Sequence, residues 1–209
     1  MGTYSKSNFG QISGKVGNGV AGKWRGIDYL RSLPTKSKRA KSPAQQAVQA
    51  KLALAVTQLR PIKDILNIGF GDKKLDGLSG YNAAVRAFIN NNILGDYPNY
   101  TIDYPKMVLS KGSLGALFTS SLQYDEKLSF TWAVTEETKT TFETDQVIVV
   151  VFNQAKELHM VQDSARRNAG AVELNVPVIP GETLHVWAFG ISQENQTTSK
   201  SEYVGSFTL

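Results

Sequence analysis

The chain has 209 residues, 41% of them hydrophobic and 10% aromatic, with no cysteine and only two histidines, His159 and His185. That length fits one or two domains, each large enough to bury a core, so disorder throughout is excluded. Without cysteine there is no disulfide framework, thiolate nucleophile, Cys-ligated zinc or iron–sulfur cluster, and two histidines nearly exclude two-His metal motifs, so neither a metal nor another cofactor is expected.

No apolar run reaches the roughly 18–20 residues that span a bilayer, and the opening MGTYSKSNFG lacks the apolar region of a secretory signal. The expectation is a soluble protein with no membrane span, cytoplasmic or part of an assembled particle. Charge divides the chain. Residues 1–74 hold 14 Lys/Arg and 3 acids, net +11, whereas residues 75–209 hold 9 Lys/Arg and 15 acids, net −6. Such a split points to a polyanion-binding front end or to two surfaces that attract each other, within a subunit or between subunits.

Residues 1–34 carry seven glycines, with Phe9, Ile12, Val16, Val20, Trp24, Ile27, Tyr29 and Leu30 between them. Glycine supplies the positive φ of tight turns and weakens helices, so this stretch reads as a β arm or hairpin that needs a partner surface. Residues 34–43, PTKSKRAKSP, form a basic, proline-bounded linker. Ser42-Pro43 then reads as a helix N-cap and first turn. Ala44, Val48, Leu52, Ala55/Val56, Leu59, Ile62 and Leu66 recur at helical spacing, which predicts an amphipathic helix over residues 43–67 with a break near Arg60, because Pro61 removes an amide donor. A second helix opens at Ser79-Gly80 with a stripe of Tyr81, Ala84, Val85, Phe88 and Ile89, and ends before Gly95. From Tyr100 onward short β-rich runs follow, at 107–109, 128–134, 147–152, 158–161, 172–176, 184–191 and 203–209. Seven short strands in about 100 residues are the signature of an antiparallel sandwich.

Three patterns invite a catalytic reading, and each lacks its context. Gly17-x-Gly19-x-x-Gly22 matches the dinucleotide fingerprint, but no buried strand precedes it and Asp28 comes too early for a ribose contact. Gly112-Ser113-Leu114-Gly115 lacks the spacing of a nucleophile elbow and reads as a loop. The acid pairs Asp125-Glu126 and Glu136-Glu137 flank strand ends and read as solvated turns. His159 and His185 are expected as ordinary strand residues, which only coincidence would bring to a common face. The chain is therefore expected not to be an enzyme.

The strongest signal is the basic, aromatic front end. Trp24, Arg25, Tyr29 and Arg31 are the expected partner-binding residues, and Lys15, Lys23, Lys36, Lys38, Arg39 and Lys41 form the accompanying polyanion-binding set. Cationic side chains neutralise phosphates and aromatic faces stack on bases. No helix-turn-helix, ribonucleoprotein or zinc-finger pattern accompanies them, so self-association or a larger protein assembly is favoured, with nucleic acid the alternative partner.

Two resemblances complete the reading. Lys127 to Trp132, Gln146 to Phe152, Ile179 to Phe189 with its Pro180-Gly181 turn, and Ser201-Glu202-Tyr203-Val204 resemble a fibronectin type III domain, which implies a Trp-centred core over residues 105–209. Gly14-Lys15-Val16-Gly17, Gly22-Lys23-Trp24-Arg25-Gly26, Arg31-Ser32-Leu33-Pro34, Gln58-Leu59-Arg60-Pro61, Ile68-Gly69-Phe70 and Ser79-Gly80-Tyr81-Asn82 resemble an uncharacterised family of about this length found in Bacteroidota. That resemblance supplies no activity. The expected architecture is α+β: a basic Gly-rich β arm and helices over residues 1–104, then a fibronectin-III-like antiparallel β-sandwich over 105–209. The expected role is a non-enzymatic structural protein that assembles through its arm into an oligomer, with a virion or appendage as one setting.

Overall fold

The computed structural model describes residues 2–3, 13–24, 26–35, 40–71, 78–117, 121–125, 127–133, 144–177, 179–192 and 197–208. Tyr4, Phe9, Ile12, Arg25, Lys36, Lys38, Arg39, Glu126, Glu136, Glu137 and the side chain of Asp125 lie outside what is described, and so do the expectations attached to them. The chain is mixed α+β and divides into two compact units, Met1–Ser42 and Pro43–Leu209.

The first unit is a four-stranded antiparallel sheet of β1 (Gly2–Thr3), β2 (Gly14–Val16), β3 (Gly19–Trp24) and β4 (Ile27–Ser32), in the order β1-β4-β3-β2. The second unit opens with α1 (Pro43–Leu59), a 3-10 turn over Arg60–Ile62 and α2 (Lys63–Gly69). The break falls where Pro61 cannot donate to the preceding turn, as its position in the sequence requires. Helix α3 (Gly80–Asn91) starts at Ser79, whose Oγ accepts the amide of Asn82 at 3.2 Å. A two-stranded ribbon of β5 (Ile93–Leu94) and β6 (Thr101–Ile102) follows.

The remaining strands form two sheets. β7 (Ser121–Asp125), β8 (Lys127–Thr131) and β11 (Ala171–Leu174) make one in the order β11-β8-β7. β9 (Gln146–Asn153), β10 (Leu158–Arg166), β12 (Thr183–Ile191) and β13 (Glu202–Thr208) make the other in the order β10-β9-β12-β13, all antiparallel. β9 and β12 are buried on both faces. On one side Val147, Val149, Val151, Leu184, Val186 and Ala188 pack on Leu128, Phe130 and Leu174 of the three-stranded sheet. On the other, Ile148, Val150, Phe152, Trp187, Phe189 and Ile191 pack on Ala55, Leu59, Leu66, Ala84 and Phe88 of the helices. A strand covered on both faces needs apolar residues at every position, which is why 147–152 and 186–189 read as continuous apolar runs. β8, covered on one face, alternates instead: Leu128 and Phe130 are buried between less buried neighbours.

The helices therefore share a core with the strands. The stripe expected along α1 is only half buried. Ala55, Leu59, Ile62 and Leu66 are inside, whereas Val48 and Leu52 are 68% and 47% exposed.

Residues 107–109 are not a strand. Leu109 turns its amide to a side chain instead of a ladder: it and the amide of Ser110 donate to Ser201 Oγ at 2.8 and 3.2 Å, the Met107 amide donates to the Tyr104 carbonyl at 3.0 Å, and Ser110 Oγ donates to the Ser199 carbonyl at 2.6 Å. Thr198 Oγ1 donates to the Gly69 carbonyl at 3.1 Å, tying the same region to α2. A buried amide must be paired, and short hydroxyl side chains do this where no neighbouring strand is available. Ser201→Ala should therefore lower unfolding stability by about 1–3 kcal/mol, the cost of orphaning two buried donors. Ser121→Ala, which removes an exposed hydroxyl pair with Thr131, should change it by less than about 0.5 kcal/mol. Urea unfolding of the two variants checks the contrast.

Candidate functional site

The expected partner-binding residues fall on the first sheet, and its register decides which of them meet. Residues directly opposite in an antiparallel pair point to the same face. Val20 opposes Arg31 and Lys15, Gly22 opposes Tyr29, and Trp24 opposes Ile27. Lys15, Trp24, Tyr29 and Arg31 thus share one face. Lys23 lies on the other, opposite Asp28, and Lys41 is exposed beyond the last strand of the sheet. Gly22 shapes the shared face, because a Cβ there would come within 2.9 Å of Tyr29 Oη and 3.0 Å of its Cζ; the bare glycine lets the phenol lie across the neighbouring strand. The glycines of the dinucleotide-like pattern belong to this hairpin. Gly17, with φ of +56°, occupies the first position of the two-residue turn joining β2 to β3, where a glycine is needed for the hairpin's twist, and no helix follows to receive a phosphate.

The sheet buries little of its own apolar surface. Ala21 is 3% exposed, but Val16, Trp24, Ile27, Leu30 and Leu33 are each between 41% and 61% exposed. Val16 and Leu30 lie on the face opposite Trp24 and Ile27, so both sides of the sheet present apolar side chains beside a basic, aromatic surface.

A second constellation was not anticipated. His159 on β10 and His185 on β12 both stand opposite Phe152 of the intervening β9, so the two imidazoles flank one ring on the helix-facing side of the sheet. The sequence carries the signal, since both sit in strand runs, but only the register aligns them. His185 Nε2 meets Gln154 Oε1 at 3.3 Å and its Nδ1 meets Tyr203 Oη at 2.9 Å. Gln154 Oε1 only accepts, so Nε2 carries the proton and Nδ1 accepts from the tyrosine. The Tyr104 ring stacks on the same imidazole at 4.1 Å. His159 Nε2 accepts from Gln58 Nε2 at 3.3 Å, across from α1. Desolvation holds His159 at about 4 and lowers His185 as well, so both rings are neutral at pH 7. Burial also raises Tyr104 and Tyr203 above the usual phenol range. Each imidazole is packed against aromatic rings.

The end of the loop Gly112 to Gly115 is held by Arg167. Arg167, 2% exposed, donates from Nη2 to the Gly115 carbonyl at 2.8 Å and from Nη1 to the Ala116 carbonyl at 3.1 Å, with Asp145 Oδ2 3.8 Å from its Nε. Burial lowers the Arg167 pKa and Asp145 opposes that shift. Among the described residues no three His, Asp or Glu side chains are grouped as a metal site, and no helix is long and apolar enough to cross a membrane.

An α+β protein with a separate, apolar-faced β unit is thus the class that these features define. Residues 11–205 match a family of unknown function, DUF6266, and the chain belongs to that family. No curated protein and no solved structure matches it.

The neutral His159 ties stability to pH. Its folded pKa of about 4 lies below its ordinary value near 6.5, so its contribution is complete above pH 6.5 and is lost as the pH falls toward 4. Unfolding free energy should drop by up to about 3 kcal/mol between pH 7 and pH 4 on this account. His159→Gln should flatten that slope, as read by urea unfolding at each pH.

Proposed function

We propose that the protein is a non-enzymatic structural protein that assembles through its N-terminal sheet, either with copies of itself or into a larger particle such as a virion or appendage. The observation that carries this reading is the exposure of Val16, Trp24, Ile27, Leu30 and Leu33 on a compact unit in which Ala21 is the one buried apolar side chain described. Small sheets with apolar residues on both faces gain stability only by covering them, and covering five such side chains contributes on the order of 5–10 kcal/mol before association costs. Charge supports the same reading. Residues 1–42 carry nine Lys/Arg and one acid, leaving 14 Lys/Arg and 17 acids on residues 43–209, so the sheet of one copy is complementary to the second unit of another. The cytoplasm or the assembled particle is the corresponding location.

Within this reading the second unit is a fibronectin-III-like scaffold. Three features support it: strand order β7-β8-β11 against β10-β9-β12-β13, the buried Trp132 packed 5.3 Å from Phe130, and the Pro180-Gly181 turn before β12. Helices covering the outer face of the four-stranded sheet are an addition to such a sandwich. The alternative, nucleic-acid binding, draws on one specific observation, the sharing of a single face by Lys15, Arg31, Trp24 and Tyr29. That face places cations for phosphates beside rings for bases.

Light scattering coupled to size exclusion, on protein stripped of nucleic acid, distinguishes the two. A defined oligomer that weakens at least tenfold in a Trp24→Ala/Ile27→Ala variant is the expected result. Monomers at every salt concentration, together with steeply salt-dependent binding of single-stranded DNA, would replace assembly with the alternative.

A further inference from the structure

Helix α3 packs Ala83, Ala84, Val85 and Phe88 into the core. Ala83, at the edge of that face, lines a cavity of about 250 Å³ with Arg86, Ala87 and Asn90, spaced three and four apart along the helix, and with Phe70, Leu78 and Lys111. The two alanines leave the space open, and the buried Phe70 ring supplies an apolar wall. Lys111 is fixed opposite α3 by its backbone. Its amide donates to the Gly69 carbonyl at 2.8 Å, and α2 can approach this closely only because residue 69 is glycine, since a Cβ there would overlap the Leu109 carbonyl oxygen.

Among the described residues that line it, the cavity combines an apolar floor with two cations and one amide, and none is a carboxylate. Among the described residues neither Arg86 nor Lys111 makes an ion pair. Like charges held at one mouth repel, and a cleft with low-dielectric walls concentrates their field on whatever enters. An anion relieves that repulsion, and the guanidinium fork offers it two parallel donors. The volume is below that of drug-sized ligand sites, which restricts the ligand to roughly ten non-hydrogen atoms.

We propose that this cavity is a binding site for a small organic anion with an apolar body: the body lies against Phe70, Ala83 and Ala87, and the acidic head is held between Arg86 and Lys111. The site lies wholly in the second unit and does not depend on the assembly reading.

Titration of isotopically labelled full-length protein with phenylacetate, followed by amide chemical shifts, tests it. Saturable shifts confined to residues 69–71, 78, 83–90 and 111 are expected, with a millimolar-range Kd appropriate to so small a ligand. Phenylacetamide, which keeps the body and loses the charge, and sulfate, which keeps charge without the body, should each bind at least tenfold more weakly. Arg86→Gln, at an exposed position, should weaken phenylacetate at least tenfold without moving the thermal midpoint. Ala87→Trp should abolish binding by filling the space. The proposal is overturned if no saturable shift occurs, if shifts fall elsewhere, if phenylacetamide or sulfate binds as well as phenylacetate, or if folded Arg86→Gln binds like the native chain.

Discussion

The paired strands β9 and β12 are the constraint on which the second unit depends. Lying at the centre of their sheet, they are covered by a three-stranded sheet on one side and by three helices on the other, so that neither face reaches water. The alternating side chains of one strand pair therefore belong to two clusters at once. A change in register by a single residue would exchange the small set, Val147, Val149, Val151 and Ala188, for the large set, Phe152, Trp187 and Phe189, and neither layer would accommodate it. Helices and sheets are thereby locked into one unit.

Burying so much backbone and so many side chains leaves polar groups that must be satisfied away from water. Arg167 is clamped by two loop carbonyls, while its own carbonyl accepts the Trp132 indole N–H at 2.7 Å. Hydroxyls of Ser110 and Ser201 pair the irregular segment that follows the ribbon, and Thr198 Oγ1 donates to the Gly69 carbonyl of α2. His185 takes the same part within the aromatic layer, bonded at both nitrogens to Tyr203 and Gln154, whereas His159 bonds Gln58 through Nε2 and its buried Nδ1 meets no hydrogen-bond partner.

The first unit shows the opposite balance. Its strands span two to six residues, its turns rest on glycine, and among its described residues Val16, Trp24, Ile27, Leu30 and Leu33 remain in contact with water. Its positive charge contrasts with a second unit that is net acidic.

Local chemistry was legible in the sequence. The 3.6-residue period of 43–67, the break at Pro61, the Ser79 cap, the continuous apolar runs of β9 and β12 and the hairpin glycines all act between near neighbours, so the sequence by itself determined these elements. It also marked Trp24, Tyr29 and Arg31 as a group, which strand alternation could place on one face only once the register was fixed. Tertiary structure alone decided the rest. β7 lacks a strong alternating signal and exists by pairing with β8; residues 107–109, although apolar, form no ladder, and Leu109 donates its amide to a serine 92 positions away; Val48 and Leu52 follow the helical period yet find no layer to cover them. The alignment of His159 and His185 on Phe152, and the cavity opened by Ala83 and Ala87, arise from contacts between segments far apart in the chain, which no local pattern encodes.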